Sequence, residues 1–381
     1  MQIEQLMWNT KSGWQRTLQT GKDGINPHLV LFFSGSNVLE SDERYLELRD
    51  LYPDAHIVGC TSAGEIIDED VYDESVVVSA LEFKDTPLSV ASVSIDAMED
   101  SFRSGVQLGK ELDHPELRGV LVISEGIRVN GSELVRGVIS VTGDKVPVTG
   151  GLAGDGARFQ ITQVGCDSKP ESGRIAAIGF YGSAITIGHG SVGGWDPFGP
   201  ERHITRSRGN VLYELDSKPA LELYKLYLGE EAANLPGSAL LFPLMVRSAN
   251  SKDTGVVRTV LSVNEEDQSM TFAGDIPQDY RAQLMLANFE RLIDGAGAAA
   301  KIASEITNRN GTKLAILISC VGRKMILGQR TADEVEAVHE ILGRDVAQIG
   351  FYSYGEISPH VSTGSCELHN QTMTITLLSE G

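Results

Sequence analysis

The stretch VGCTSAGEII, residues 58–67, recurs in nearly the same form as IGFYSYGEIS at residues 349–358. Glycine, serine, a second glycine, glutamate and isoleucine occupy the same relative places in both copies. Shared positions in one short window, repeated far along the chain, indicate a duplicated structural unit rather than a chance match. We therefore expect matching loops at matching places in the fold.

The repeat extends beyond this phrase, because three segments share a strand, helix, strand pattern. Each segment opens with a continuously apolar run, which is typical of a strand covered on both faces. A helical stretch and a second strand follow, and the second strand leads to a glycine and then an acid. The apolar runs are 29–35, 119–126 and 313–322, and the helical stretches are 41–51, 131–142 and 332–342.

The spacing within the segments predicts which residues correspond. Thirty positions separate Ser34 from Gly64, and the same number separates Ser124 from Gly154. The acids that follow these glycines, Glu65 and Asp155, and Glu356 in the third segment would then be counterparts. Later strands follow at the short spacing of antiparallel hairpins, so we expect mixed sheets with crossover helices packed on them.

The Gly- and Pro-rich stretch GHGSVGGWDPFGPERH, residues 188–203, is the best candidate for a domain boundary. It divides the chain into a predicted N-terminal domain, residues 28–195, and a predicted C-terminal domain, residues 196–381. The expected fold class is α/β, with mixed sheets and an internally duplicated two-domain architecture. Residues 278–308 predict one long helix that is interrupted near Gly295 and Gly297.

The composition is that of a globular protein. Of the 381 residues, 41% are hydrophobic and 22% are charged. A formal net charge of −20 repels phosphate backbones and anionic lipid, so neither nucleic acid nor a membrane is an expected partner. No apolar run approaches the roughly 18 residues of a membrane span, and the N-terminus does not have the pattern of a secretory signal. We expect a cytoplasmic protein whose four cysteines are reduced.

Known catalytic and metal motifs are incomplete. Strand-like sequence follows GGLAGDG, residues 150–156, and no Gly-Lys-Ser/Thr ending is present, which argues against a phosphate loop. Ser62 and Ser353 stand in Gly-x-x-Ser-x-Gly, whereas a hydrolase elbow requires Gly-x-Ser-x-Gly. Cys366 and His369 are three apart on an expected strand, so they point to opposite faces and suit zinc poorly.

Polar and aromatic residues at the strand ends are the remaining candidates for a small-molecule site. Ligand clefts form at strand ends in open α/β sheets. Acids in such loops also accept hydrogen bonds from loop amides, and this purely structural role has equal weight. The expected ligand-binding residues are Thr61, Glu65, Gly151, Asp155, Tyr352, Tyr354, Glu356, His369 and Asn370.

His189 is the candidate for a haem ligand. It lies between an apolar strand and a Gly-rich turn that carries Trp195 and Phe198. Haem iron requires an imidazole between apolar walls with room for a flat macrocycle, and this segment could supply them. A lone histidine is more often a hydrogen-bonded structural residue, and that alternative stays open here.

The chain resembles the FIST family of sensory domains over nearly its whole length. VGCTSAGEI and GGLAGDG resemble the family's N-terminal half, and GNVLYELDSKPALELY and GFYSYGEISP with LHNQT resemble its C-terminal half. The usual Asp-Gly before Pro-Ala is replaced by Asp216, Ser217 and Lys218. The resemblance implies a ligand sensor of bacterial signalling. It also implies similarity to stand-alone haem b and nitric-oxide sensors that act on a separate partner such as a histidine kinase.

Three hypotheses follow. The first is a sensor without catalytic activity, in which an amino-acid-like molecule, or haem with nitric oxide, shifts a population of conformers that a partner reads. An acid such as Glu65 or Glu356 would then pair with a ligand ammonium. The second is a hydrolase that uses Ser62 or Ser353 with His369. The third is a scaffold that binds protein and no small ligand.

Overall fold

The computed structural model describes residues 1–21, 24–235, 237–248, 255–307, 311–360 and 364–381. Helices α1 to α7 are Glu43–Leu51, Ser101–Leu112, Gly131–Thr142, Ala220–Leu228, Phe289–Ile306, Val321–Leu327 and Thr331–Leu342. Strands β1 to β13 are Gln2–Asn9, Gly13–Gln19, Leu29–Gly35, His56–Ser62, Glu65–Ile67, Asp70–Tyr72, Val76–Glu82, Leu88–Ser94, Leu117–Ser124, Val148–Leu152, Val164–Cys166, Arg174–Tyr181 and Ile185–Val192. Strands β14 to β26 are Trp195–Arg208, Val211–Leu215, Lys218–Pro219, Leu244–Arg247, Val256–Arg258, Val260–Asn264, Ser269–Phe272, Arg281–Ala287, Lys313–Cys320, Val346–Ser353, Gly355–Pro359, Cys366–His369 and Met373–Glu380.

Three six-stranded sheets have the same internal plan. Each contains one internal parallel pair, with antiparallel strands on both sides. A parallel pair requires a crossover connection, which α1, α3 and the pair α6 and α7 provide. The first sheet has the order β11-β4-β3-β7-β1-β2, the second β25-β24-β10-β9-β12-β8, and the third β13-β26-β22-β23-β5-β6. The expected mixed sheets with crossover helices are confirmed.

Three repeated units build these sheets, and each unit gives a strand to another unit's sheet. The first unit is β1–β7, the second is β8–β12, and the third is β13 with α5 and β22–β26. Strand β5 of the first unit pairs with β23 in the third sheet, and β24 of the third unit pairs with β10 in the second sheet. Strand β11 of the second unit pairs with β4 in the first sheet. The exchange is therefore cyclic: the first unit gives a strand to the third sheet, the third unit gives one to the second sheet, and the second unit gives one to the first sheet.

The recurring phrase of the sequence marks the point of exchange. Glu65 begins β5, and Gly355 and Glu356 begin β24, so in both copies the chain leaves its own sheet at this glycine. Gly64 has a φ of +146°, a conformation that favours glycine. In both copies the chain changes sheets at the same place in the phrase, which accounts for its recurrence.

The second unit departs from the predicted register by one residue. Ser34 pairs with Thr61, but Ser124 pairs with Leu152, so Gly154 lies one residue out of step with Gly64. The exchanged strand β11 begins only at Val164, after an extra loop at 155–163. Asp155 therefore lies in this loop and is not the structural counterpart of Glu65.

The inner faces of the three sheets share one apolar core. Phe33 of the first sheet, Ile123 of the second and Ile318 of the third belong to a single buried cluster. The rings of Phe33 and Phe351 have centroids 4.5 Å apart. Helices cover the outer faces: α2 contacts β8, and α5 contacts β13 and β26. No helix within the described residues is both long enough and apolar enough to span a membrane.

A fourth sheet is inserted into the third unit between β13 and α5. It comprises β14–β21, packs against α4 and has its own buried core. The single helix predicted over 278–308 is wrong at its start, because residues 281–287 form β21. Helix α5 then begins at Phe289 and passes Gly295 and Gly297 without a break. A side chain at Gly295 would collide with the carbonyl of Gly193, so this glycine serves close packing.

The core of the second sheet gives a test of this packing. Gly150 has a φ of +138°, and a β-carbon there would collide with the carbonyl of Val122 on β9. Gly150→Ala should lower the free energy of unfolding by about 3 kcal/mol or more, through strain and overpacking. Gly237→Ala is the control, because that site has an ordinary φ and no atom within 4 Å of the added carbon. Equal denaturation midpoints for the two variants would contradict the close approach of β9 and β10.

Candidate functional site

A pocket of about 260 Å³ lies where loops of the first two units meet. It is lined by the end of β3, the turn between β4 and β5, the turn between β6 and β7, and the loop after β10. These are strand ends, where sheet-based proteins form ligand clefts. The lining residues are Gly35, Ser62, Ala63, Gly64, Glu65, Asp73, Glu74, Asp155, Gly156, Ala157 and Arg158.

Charged side chains of both signs meet at this pocket. Lys324 reaches in from α6 of the third unit, donates to the carbonyl oxygen of Ala63 at 2.9 Å and pairs with the Asp73 carboxylate. Arg158 of the second unit donates to Asn37 Oδ1 of the first unit at 2.7 Å. The first two units therefore line the pocket, and Lys324 of the third unit contacts two of its lining residues, Ala63 and Asp73.

Glu65 is buried at the rear of the pocket with both oxygens engaged. Its Oε1 accepts from the Ser62 hydroxyl, and its Oε2 accepts from the backbone N–H of Ser75 at 2.9 Å and from the Ser75 hydroxyl at 2.8 Å. Burial raises its pKa to about 7, although these hydrogen bonds act in the opposite direction. This carboxyl joins the start of β5 to the residue that precedes β7.

Glu356 repeats this arrangement in the third unit. Its Oε1 accepts from the Ser353 hydroxyl at 2.6 Å, and its Oε2 accepts from the N–H of Thr372 at 3.1 Å and from the Thr372 hydroxyl at 3.0 Å. Burial raises its pKa to about 8. The two glutamates are thus structural counterparts, and each ties an exchanged strand to the residue before the strand that returns to the unit's own sheet, β7 or β26.

Asp155 organises the extra loop of the second unit. Its carboxylate accepts from the N–H groups of Phe159, Gln160 and Ile161, at 2.8, 2.9 and 2.9 Å, and from the Tyr354 hydroxyl. The Tyr354 ring stacks on Phe159 with centroids 4.2 Å apart. The loop beside the pocket is therefore fastened to the third unit.

Three further expected site residues lie behind the pocket in the sheets. Thr61 accepts from the N–H of Gln163 at 3.0 Å, and Gly151 faces Ile318 where β10 pairs with β24. The Tyr352 hydroxyl donates to Glu334 Oε1 at 2.6 Å, and Lys324 Nζ lies 5.6 Å from its ring centroid.

His369 and Asn370 belong to a different part of the molecule. His369 is buried, its Nε2 lies 3.0 Å from the carbonyl oxygen of Ser358, and burial lowers its pKa to about 3. Asn370 Oδ1 accepts from the N–H of Thr259 on the inserted segment at 3.3 Å. Its Nδ2 has no hydrogen-bond partner among the described residues. The structure therefore divides the nine expected ligand-binding residues between at least two places.

The surroundings of His189 do not fit a haem. Gly188 and Gly190 pack on carbonyls of α5, so His189 faces the other side of β13. There its cross-strand neighbour is Thr376, and burial lowers its pKa. Trp195 and Phe198, the expected apolar walls, begin a different sheet. The imidazole could be neutral, as a ligand must be, but the apolar slot is not formed by these residues.

The serines of the hydrolase hypothesis have carboxyl partners. Ser62 donates to Glu65 and Ser353 donates to Glu356. Within the described residues neither hydroxyl has a histidine partner, and His369 bonds to a backbone carbonyl. The Ser–His pair that this hypothesis requires is not assembled.

Arg158 and Asp73 line the pocket and Lys324 contacts its lining residues, but the sequence pattern predicts none of the three. Lys324 and Asp73 are far apart in sequence, and neither belongs to a recurring phrase. The segment that contains Arg158 has the sequence pattern of a strand, but in the structure this segment forms the extra loop. The one available signal is the run of acids after Glu65, at residues 68–74.

Two protein-family models match this chain. The family model described as FIST N domain matches residues 28–218, and the family model described as FIST C domain matches residues 220–359. No curated protein matches this chain. A solved structure described as a cyanuric acid hydrolase from A. caulinodans aligns with 93% of this chain and 90% of that chain, at 8% identity and a TM-score of 0.33. A likeness this low carries no argument about activity.

The two buried glutamates predict a pH dependence of stability. In the unfolded chain glutamate titrates near 4.3, whereas burial raises the folded pKa values to about 7 and about 8. Their protonated forms stabilise the fold below the unfolded pKa, and this contribution is lost as the pH rises through the folded values. Between about pH 5 and pH 8 the wild-type free energy of unfolding should fall by a few kcal/mol relative to the double variant Glu65→Gln, Glu356→Gln.

Urea denaturation at several pH values would measure this difference. Glu116→Gln, at an exposed glutamate, is the control and should follow the wild type. Parallel pH profiles for the wild type and the double variant would show that both carboxyls are ionised in the folded protein.

The Asp155 loop predicts a second effect on stability. Tyr354→Phe removes a donor from a buried carboxylate and should lower the free energy of unfolding by about 1–3 kcal/mol. Tyr72→Phe removes an exposed tyrosine–aspartate hydrogen bond, to Asp70, and should cost less than about 0.5 kcal/mol. Chemical denaturation measures both, and equal losses would mean that the buried bond contributes no more than the exposed one.

Proposed function

Since the chain belongs to the FIST family, whose domains are sensory domains of signal transduction that bind small ligands, we propose that it senses such a ligand in the pocket between its repeated units. The observation that carries this proposal is a pocket lined by two units with charges of both signs, whose lining residues Ala63 and Asp73 are contacted by Lys324 of the third unit. A ligand bound there touches elements whose relative positions depend on the strand exchange. Its binding would favour one arrangement of them over another.

The charges favour a small zwitterion, such as an amino acid. Asp73 and Glu74 would accept from a ligand ammonium, and Lys324 would donate to a ligand carboxylate. In this proposal the ligand replaces the existing pair of Lys324 and Asp73, so each charged group keeps an opposite charge. Glu65 lies behind this layer and supports the turn rather than contacting the ligand.

A sensor requires a partner that reads its state. A histidine kinase, as the family resemblance implies, is the partner we propose, in the cytoplasm. Haem with nitric oxide, the other ligand implied by the resemblance, gains no support from the surroundings of His189. A protein scaffold without a small ligand does not require a pocket lined by charges of both signs, and this lining favours the sensor.

Isothermal titration with the twenty standard L-amino acids tests the ligand class. At least one should release or absorb heat, and Asp73→Asn and Lys324→Met should each weaken its binding about tenfold, through loss of a charge-assisted hydrogen bond. Asp70→Asn is the matched control, because Asp70 lies on the neighbouring strand β6 and does not line the pocket. The amino-acid class fails if no member binds. The pocket assignment fails if Asp70→Asn weakens binding as much as Asp73→Asn does.

A further inference from the structure

Arg323 is a fully buried cation, and it precedes Lys324, which contacts the pocket-lining residues Ala63 and Asp73. Its guanidinium donates to the carbonyl oxygen of Gly193 at 3.0 Å and to the carbonyl oxygen of Leu292 at 2.7 Å. It also donates twice to Glu334 Oε2, at 2.9 and 2.7 Å. Its donors are thus divided between one carboxylate and two backbone segments.

Those two segments are the points where the inserted sheet leaves and rejoins the third unit. Gly193 follows β13 and precedes β14, and Leu292 lies in the first turn of α5, shortly after β21. The two points also touch each other. A side chain at Gly194 would collide with the carbonyl of Arg291, and one at Gly295 would collide with that of Gly193. Arg323 therefore fastens both ends of the insertion, residues 195–287, to one place.

Glu334 fixes Arg323 from the other side. Its second oxygen accepts from the Ser319 hydroxyl at 3.0 Å and from the Tyr352 hydroxyl at 2.6 Å, and both donors lie on the central parallel pair of the third sheet. A buried ion pair that loses one partner leaves an uncompensated charge, so the pair resists separation. Arg323, Glu334 and the ends of β22 and β23 form one connected group.

Lys324 links this group to the pocket. It follows Arg323 in the first turn of α6, and its ammonium reaches the carbonyl oxygen of Ala63 and the carboxylate of Asp73 in the first unit. Two adjacent residues of α6 thus contact different parts of the molecule. Lys324 contacts the pocket wall, and Arg323 contacts Gly193 and Leu292, which form the base of the insertion. A shift of this turn changes both sets of contacts together.

We infer that Arg323 and Lys324 couple the pocket between the repeated units to the insertion, so that the state of the pocket alters how residues 195–287 are held. This inference rests on the proposed function in taking that pocket as the ligand site. A ligand that draws Lys324 away from Asp73 displaces the first turn of α6, and the hydrogen bonds of Arg323 to Gly193 and Leu292 change with it. The coupling is reciprocal, so a partner that holds the insertion in one position changes the affinity of the pocket.

The insertion has the structure of a separate element. Its apolar residues, among them Leu212, Tyr224 and Phe272, form a cluster that is distinct from the core of the repeated units. Polar contacts join it to those units away from its base, such as Arg258 Nη1 to the carbonyl oxygen of Leu368 at 2.8 Å and Asn130 Nδ2 to Asp275 at 2.9 Å. The position of the insertion therefore depends on its base together with these polar contacts, and a shift at the base does not require its core to open.

Hydrogen–deuterium exchange of the full chain, with no small molecule added, tests the coupling. Lys324→Met should raise amide exchange severalfold at residues 193–195 and 289–292, in addition to the pocket loop at 63–73. Lys301→Met, at an exposed lysine of α5, is the matched control and should leave both regions unchanged. Arg323→Lys keeps the charge but loses the forked geometry, and it should raise exchange at the same two base segments.

The outcomes separate this inference from the proposed function. If Lys324→Met changes exchange only at 63–73, the coupling is wrong, even where an amino acid binds the pocket. If no amino acid binds, the exchange experiment still tests the coupling, because it uses no ligand. Unchanged exchange at 193–195 and 289–292 in Arg323→Lys would also overturn the coupling, and this conservative variant avoids leaving Glu334 without a cation.

Discussion

The exchange of strands among three sheets is the constraint on which the rest of this structure depends. Each parallel pair ends in a turn that sends the chain into a neighbouring sheet, where backbone hydrogen bonds receive it. The N–H of Ala63 donates to the carbonyl oxygen of Tyr352 at 2.9 Å, and the N–H of Tyr352 donates to that of Gly64 at 2.8 Å. A strand edge left without its neighbour exposes a row of unpaired donors and acceptors. The units therefore provide the backbone hydrogen-bond partners for each other's strand edges, and the pocket lies where their turns meet.

Buried carboxyl groups stabilise these junctions, and they differ in the groups that compensate for their burial. Glu65 and Glu356 each accept from a serine three residues earlier and from the residue that precedes β7 or β26, yet burial still raises both pKa values. Glu334 instead faces Arg323, which supplies a full positive charge. The first arrangement fastens a turn within the exchange. The second fastens the base of an insertion, and it lies next to the lysine that reaches the pocket. These structural contacts thus lie in the same small region as the proposed ligand pocket.

Part of the candidate site could be predicted from sequence, because local repetition marks it. The paired phrases located Glu65 and Glu356 at equivalent turns, and the strand-end rule indicated where a cleft would form. The same spacing predicts Asp155 as a counterpart, but a one-residue shift in the second unit and an extra loop move it. Lys324 and Arg158 contact residues of another unit near the pocket, and no local sequence pattern predicts contacts between units. For residues 281–287, tertiary pairing with β14 and β17 overrode a helical pattern.

The amino-acid sequence predicts the repeated strand, helix, strand units, the mixed character of the sheets and a turn at each Gly-Glu phrase. These features follow from periodicity and from the conformational freedom of glycine, which act over a few residues. The tertiary structure alone decided which sheet receives each exchanged strand, which carboxyl groups are buried, and that Lys324 and Arg323 connect the pocket with the base of the insertion. These features depend on contacts between residues far apart in the chain, and such contacts are specified by the packing of whole sheets rather than by any short stretch.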